Sequence, residues 1–196
     1  MKIYLIRHGQ TTGDIEDRYG GDYDDYLTDL GKSQGRELVR NLLGFGIEKI
    51  FCSPRVRAKE IADIVNKDLN CGVEIIDDLR ERNQYGILSG MTKNEARDKF
   101  LKLTEDLKDF HNTINGAENY DLFKNRIVKV LSEILNLKYN IIAIITHGGP
   151  IKVIFREVLK LGEVQIEDCG FAELEGDTHG LKVIRLNKIE ISKYGN

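Results

Sequence analysis

Short apolar runs rich in β-forming residues alternate along this chain with stretches whose apolar positions recur at helical spacing. Residues 2–6 (KIYLI) form the first run and stop at Arg7-His8-Gly9; similar runs lie at 47–53 (IEKIFCS), 73–76 (VEII) and 140–146 (NIIAIIT). The last is apolar at five successive positions, 141–145, as a central strand covered on both faces requires. Between the runs, Leu38 and Leu42, then Ile61, Ile64 and Val65, then Leu122, Phe123, Ile127, Val130, Leu131 and Ile134 mark the buried stripes of helices. Alternating strand and helix predicts a three-layer α/β/α sandwich around a mostly parallel, mixed sheet. CGFAELE (169–175) and LKVIRL (181–186), joined by a turn containing Gly and Asp, read as a closing antiparallel pair.

Two segments break the alternation. Residues 13–31 are rich in Gly and Asp and read as a long loop after the first strand, and residues 77–118 read as a loop with a polar helix. No repeat, low-complexity tract or Pro/Gly/Ser linker marks a boundary, so one domain over 1–196 is expected. The stretch from Lys152 to Leu161 reads as a core-packing amphipathic helix.

Charge narrows the partners. With 29 basic and 32 acidic side chains the formal net charge is -3, which offers no global field for nucleic acid or an anionic membrane. A small molecule is the expected partner, and an exposed sheet edge is compatible with a homodimer. Cys52, Cys71 and Cys169 form no CxxC pair, which argues against a disulfide framework or a zinc knuckle; no secretory signal or long apolar span is evident, and a cytoplasmic location fits best. Cys52 reads as a buried strand residue, and His111 and His179 as polar surface residues.

The chemistry gathers after strands. His8 and His147 each directly follow a predicted strand and precede a glycine, so the backbone can turn sharply while the strand fixes the direction of the imidazole. Arg7 adjoins His8, and SPRVRAKEIA places Arg55 and Arg57 at the start of a helix after another strand. Arginine suits phosphate because its planar fork matches the oxygens and keeps its charge. Phosphoryl transfer needs an in-line nucleophile and positive charge around the equatorial oxygens, and cationic side chains supply that charge without a metal. No HxH, HExxH or DxDxDG spacing is present, so no metal and no cofactor are expected.

These motifs resemble the histidine phosphatase, or phosphoglycerate mutase-like, superfamily. LIRHGQT is similar to its nucleophile loop, SPRVRAKEIA to its arginine-bearing helix start, LRERNQYGILSG to the loop holding its acid and THGG to its second histidine; with LTDLGKSQG they span residues 3–149 in the family's order. The resemblance implies the superfamily's mixed sheet sandwiched by helices, with His8 as the phosphohistidine, Arg7, Arg57 and His147 as the phosphate pocket, and Glu81 as the proton donor. His8, Glu81 and His147 would be catalytic. A protonated Glu81 would serve the leaving alkoxide and then, ionised, activate water; phosphate would favour the protonated form, while Arg80 and Arg82 would oppose it. The reaction so implied is hydrolysis by a histidine acid phosphatase-type phosphomonoesterase, with a small phosphorylated metabolite, sugar-phosphate-like, as its substrate.

Departures from the pattern bear on substrate. Asp14 stands where many relatives carry asparagine and Gly13 where they carry tryptophan, so Asp14 is left out of the site. Seven acidic residues against one arginine between Asp14 and Asp29 read as a solvated surface loop. ERNQYGILSGMTK partly resembles the mutase stretch that grips substrate, which suggests Arg82, Tyr85 and Lys93, but an extra residue precedes Tyr85. Span 98–118 lacks the long insertion and paired arginines of cofactor-dependent mutases. Phosphatase is therefore preferred to phosphoglycerate mutase. A non-catalytic relative that binds phosphorylated ligands or partners is disfavoured because His8 and Glu81 are both present.

Overall fold

The computed structural model describes residues 1–109 and 111–192; Phe110, within the span read as helix and loop, and residues 193–196 lie outside the described residues. Six strands form one sheet: β1 (Lys2–Arg7), β2 (Lys49–Cys52), β3 (Val73–Ile75), β4 (Ile141–Thr146), β5 (Glu163–Asp177) and β6 (Gly180–Ser192), in the spatial order β3-β2-β4-β1-β5-β6. The pairs β3/β2, β2/β4 and β4/β1 are parallel, whereas β1/β5 and β5/β6 are antiparallel. The expected strands are thus present, and the closing pair is longer than the sequence pattern marked. Its first half escaped notice because the ladder slips between Ile166 and Phe171, where Cys169 adopts φ 54°, and the bulge breaks the alternation of side chains.

Strand alternation divides the core. Ile3 and Leu5 of β1 and Ile142 and Ile144 of β4 face α5 (Tyr120–Leu135) and α6 (Gly148–Val153), while Tyr4, Ile6, Ala143 and Ile145 face α2 (Asp29–Leu42) and α3 (Val56–Leu69). The helical stripes read from the sequence supply both layers: Leu38 and Leu42 from α2, Ile61 and Val65 from α3, Ile127 and Ile134 from α5. Gly31 lets α2 lie against the loop that follows β1, since a Cβ there would stand 2.1 Å from the Gln10 carbonyl oxygen. Thr28 starts that helix by accepting the Gly31 N–H at 3.0 Å.

The two irregular segments cover the carboxyl ends of the parallel strands. The first opens with a single helical turn, α1 (Thr12–Ile15), and α4 (Lys93–Asp106) stands outside the layers on a small cluster of Leu88, Ala96 and Ile114. An antiparallel bridge between Arg18 and Thr92 ties the two segments together. Beyond α6 the helix continues as a π turn, Ile154–Val158, a local widening often found beside functional sites. Among the described residues, no helix is long and apolar enough to cross a membrane.

Candidate active site

Arg7 ends β1 and residue 8 follows it, residue 147 follows β4 and residue 53 follows β2, so three neighbouring strands deliver side chains to one end of the sheet. There a cavity of about 490 Å³ is lined by Arg7, His8, Arg57, Glu81, Arg82 and Tyr85, among others. His147 is fully buried behind it, its ring centroid 5.0 Å from that of His8. The structure thus brings together every residue proposed for the nucleophile, the phosphate pocket and the proton donor.

The imidazoles are oriented by groups of fixed polarity. His8 Nδ1 lies 2.8 Å from the Gly9 carbonyl oxygen, which can only accept, so Nδ1 carries the proton and the lone pair sits on Nε2. Arg57 Nε donates at 3.2 Å to that Nε2 and, also at 3.2 Å, to Nδ1 of His147. With Nδ1 of His147 accepting, its Nε2 donates to Ser53 Oγ at 2.7 Å. Burial, followed by the positive fields of Arg57 and Arg7, holds His8 well below the ordinary histidine range; burial and then Arg57 do the same for His147. Both rings are neutral near pH 7, as nucleophilic nitrogen requires.

That depression has a measurable sign. Below about pH 6.5, the ordinary histidine value, the unfolded chain binds protons at both positions that the native protein refuses. Native stability therefore falls as pH falls, by up to about 1.4 kcal/mol per pH unit for each histidine. Asp168, whose carboxyl is raised chiefly by burial, acts in the opposite sense and offsets part of the slope. Urea midpoints between about pH 7 and pH 5 are expected to decline, and less steeply in His147→Gln; a level midpoint in the native protein would contradict the neutral pair.

The acidic loop is solvated only in part: Asp14, Glu16, Asp17, Asp24 and Asp29 are exposed, whereas Asp22 and Asp25 turn inward. Asp25, buried, accepts from Arg57 Nη1 at 2.8 Å, and the carbonyls of Tyr23 and Gly21 accept from Nη1 and Nη2 at 2.8 and 3.0 Å. Asp22 pairs with Arg55, and Asp24 accepts the Val56 N–H at 3.0 Å at the start of α3. Arg55 is thereby fixed to the loop. Asp14 lines the cavity, yet its Oδ2 accepts the Thr11 N–H and hydroxyl, both at 2.8 Å, and caps α1. Arg7 donates to the Ile166 carbonyl at 2.6 Å and pairs with Asp168 at 3.4 Å, so the bulged part of β5 positions it.

Glu81 is held by main chain. Its two carboxylate oxygens accept the Arg82 N–H at 2.8 Å and the Gly149 N–H at 3.0 Å. Position 149 must be glycine for this approach, because a Cβ would lie 2.1 Å from Glu81 Oε1. Arg80 turns outward to Asp77 and Asp78, leaving Arg82 as the nearer charge. Arg82 is buried, donates to the Glu118 carbonyl at 3.0 Å and lies over the Tyr120 ring; burial lowers its guanidinium pKa. Tyr85 lines the cavity beside Tyr19, ring centroids 4.9 Å apart.

Lys93 departs from expectation. It begins α4, pairs with Asp17 and does not line the cavity, because the segment bridged by Arg18 and Thr92 turns its side chain to the outer surface. Conversely, Lys152 and Arg156 line the cavity although their segment was read as core packing. Val153, Ile154 and Phe155 do pack in the core, but residues 152 and 156 occupy the opposite stripe. The four-residue spacing of those two cations was the available signal. Ser53 and Asp168, which orient His147 and Arg7, had no sequence signature of their own. Among the described residues, no group of three or more His, Cys, Asp or Glu side chains is arranged to hold a metal ion.

A layered α/β fold with two imidazoles bridged by a buried arginine, at the carboxyl ends of parallel strands, defines a protein built to receive an anion. The chain belongs to the histidine phosphatase superfamily (branch 1), whose family model matches residues 3–189. It is 31% identical over 203 residues to a Schizosaccharomyces pombe protein designated probable phosphatase, covering 100% of this chain and 89% of the relative. It is also 29% identical to the 2,3-bisphosphoglycerate-dependent phosphoglycerate mutase of Parvibaculum lavamentivorans, covering 84% and 82%. The same fold occurs in the crystal structure of the alpha-ribazole phosphatase from Shigella flexneri, with a TM-score of 0.85 at 21% identity over 95% of this chain and 96% of that one. The chain is thus a member of an enzyme superfamily that includes phosphatases and phosphoglycerate mutases among its relatives.

Proposed function

We propose that the protein hydrolyses small phosphomonoesters through a phosphohistidine on His8, without a metal. The observation that carries this reading is the fixed tautomer of His8: with Nδ1 bound to the Gly9 carbonyl, the lone pair is on Nε2 at the cavity wall, where it accepts from Arg57 Nε until a phosphoryl group takes that donor. In the first step Nε2 attacks phosphorus, the bond to the leaving oxygen breaks, and the alkoxide takes a proton from Glu81. In the second, Glu81 accepts a proton from water as the hydroxyl oxygen attacks phosphorus; the nitrogen–phosphorus bond breaks and neutral His8 is restored. Arg7, Arg57 and His147 supply donors to the phosphoryl oxygens.

Hydrolysis is favoured over mutase chemistry because a mutase must retain and reorient a bisphosphate, and Lys93 of the suggested gripping set is engaged with Asp17 away from the cavity. The test is to mix the protein with p-nitrophenyl phosphate and a panel of biological phosphomonoesters, including 3-phosphoglycerate with its bisphosphate. Acid-labile, alkali-stable phosphate should be found on the quenched protein, and inorganic phosphate should accumulate. Isomerisation without phosphate release would replace hydrolase by mutase, and no turnover of any ester would leave a phospho-ligand-binding protein.

A further inference from the structure

Glu81 stands in a stretch that has no hydrogen-bond ladder of its own. A single turn of 3-10 helix, Asp77–Leu79, ends shortly before it, and residues 80–85 belong to no helix or strand. Inward-facing carbonyls in such a stretch need partners from elsewhere. Four in succession find them on two side chains. Arg126 Nη1 donates to the carbonyls of Asp78 and Arg80 at 2.8 and 2.9 Å, Arg126 Nη2 to that of Glu81 at 3.1 Å, and Thr146 Oγ1 to that of Leu79 at 2.6 Å.

The remaining donors of Arg126 go to one carboxylate. Nε and Nη2 donate to Glu118 Oε1 and Oε2 at 2.7 and 2.8 Å, so all five N–H groups of the guanidinium are engaged. The guanidinium also lies over the Phe123 ring, 4.9 Å from its centroid. Glu118 holds the far side of the same stretch through its main chain: its carbonyl accepts from Arg82 Nε at 3.0 Å, and its N–H donates to the Asn83 carbonyl at 2.8 Å. From Asp78 to Asn83, every residue is thus tied directly to Arg126, Thr146 or Glu118.

Arg126 does not line the cavity, so its charge is not spent on a ligand there. What it fixes is the main chain from which the Glu81 carboxylate reaches the Arg82 and Gly149 N–H groups. A proton donor works at hydrogen-bond distance from the oxygen it serves, and a misplacement of about 1 Å can cost on the order of 10²-fold. We propose that Arg126, clamped by Glu118, is a positioning residue for Glu81, whose loss falls on the steps in which Glu81 moves a proton and spares the attack by His8. This rests on the phosphatase reading above.

The ester p-nitrophenyl phosphate separates the steps, because its weakly basic phenolate leaves without a proton from Glu81, whereas the attacking water must still give one up. With protein in excess, first-turnover release of p-nitrophenol by Arg126→Met should stay within about threefold of native, while steady phosphate release falls about 10²-fold and phosphohistidine accumulates on the quenched protein. With benzyl phosphate, whose alkoxide needs the proton, the first turnover should slow as well. Added to Glu81→Gln, the change Arg126→Met should cost less than about a further twofold, because the two residues act as one unit. Arg126→Lys keeps the charge opposite Glu118, but one ammonium cannot span three carbonyls; it should show the same selective loss to a smaller degree, and it carries the comparison if Arg126→Met does not fold. Equal loss of both steps, independent losses in the double variant, or native-like turnover by Arg126→Met would overturn the positioning role and leave the phosphatase reading standing. A native protein that releases phosphate from neither ester would remove both.

Discussion

In His8→Ala, phosphate release from every phosphomonoester is expected to fall on the order of 10⁴-fold or more, with the fold preserved. The size follows from the proposed role, in which the imidazole nitrogen makes the bond to phosphorus and water positioned in its place lacks both its nucleophilicity and its fixed direction. The fold should survive because the main partners of the neighbouring Arg57 remain, namely Asp25, the Tyr23 and Gly21 carbonyls and His147. Circular dichroism and a thermal midpoint within a few degrees of the native value would establish that the variant is folded. Phosphate release within about tenfold of native would show that another group attacks phosphorus. The variant should also lose part of the acid-side decline in stability, since one of the two histidines that refuse a proton has gone.

Arg57→Ala is expected to damage stability and catalysis together. The guanidinium is 4% exposed and makes five hydrogen bonds, so its loss strands the buried Asp25 carboxylate and two main-chain carbonyls. Breaking one side of such a pair costs about 3–5 kcal/mol, or a thermal midpoint lower by about 10 °C for a chain of this size. Activity should fall about 10³-fold, because in the proposed mechanism the donor that bridges the two imidazoles also serves the phosphoryl oxygens. Replacing both partners separates the effects. Arg57→Met with Asp25→Asn should recover much of the stability and none of the activity, since no uncompensated buried charge remains. A single variant as stable as the native protein would mean that Asp25 finds another partner.

The parts of the site that could be read from sequence are those fixed by their own strand. Both histidines stand where an apolar run ends, Arg57 follows the β2 run by a few residues, and the local chain determines where each points. Glu81 came from its motif context, and its use of the Gly149 N–H supplies the physical reason for that glycine. What escaped depended on partners remote in sequence. Asp25 resembles its acidic neighbours until α3 brings Arg57 against it, and Asp168 reaches Arg7 only because β5 bulges at Cys169. Lys152 was hidden by its neighbours: Val153, Ile154 and Phe155 gave the segment a convincing buried stripe, and periodicity identifies a buried face without saying what the other face borders. Lys93 was misjudged because linear proximity to Arg82 and Tyr85 does not survive the intervening turn at Gly86 and Gly90.

The order of strands in the sheet also bears on how the protein is made. Of the six strands β1 leaves the ribosome before the others, yet both of its neighbours follow far behind it: Lys2 lies opposite Ile141 of β4 on one side and Glu175 of β5 on the other. Until those segments are synthesised, its apolar side chains and both rows of its backbone groups have no native partner. Contacts so distant in sequence form slowly, and an exposed apolar strand is prone to pair with other chains. Assembly of the reactive end is later still, because Arg7 takes its final orientation only when Ile166 and Asp168 arrive. The proposed nucleophile thus precedes by far the strands that complete its surroundings, so a nascent chain assembles the reactive end only once β4 and β5 are available to fold.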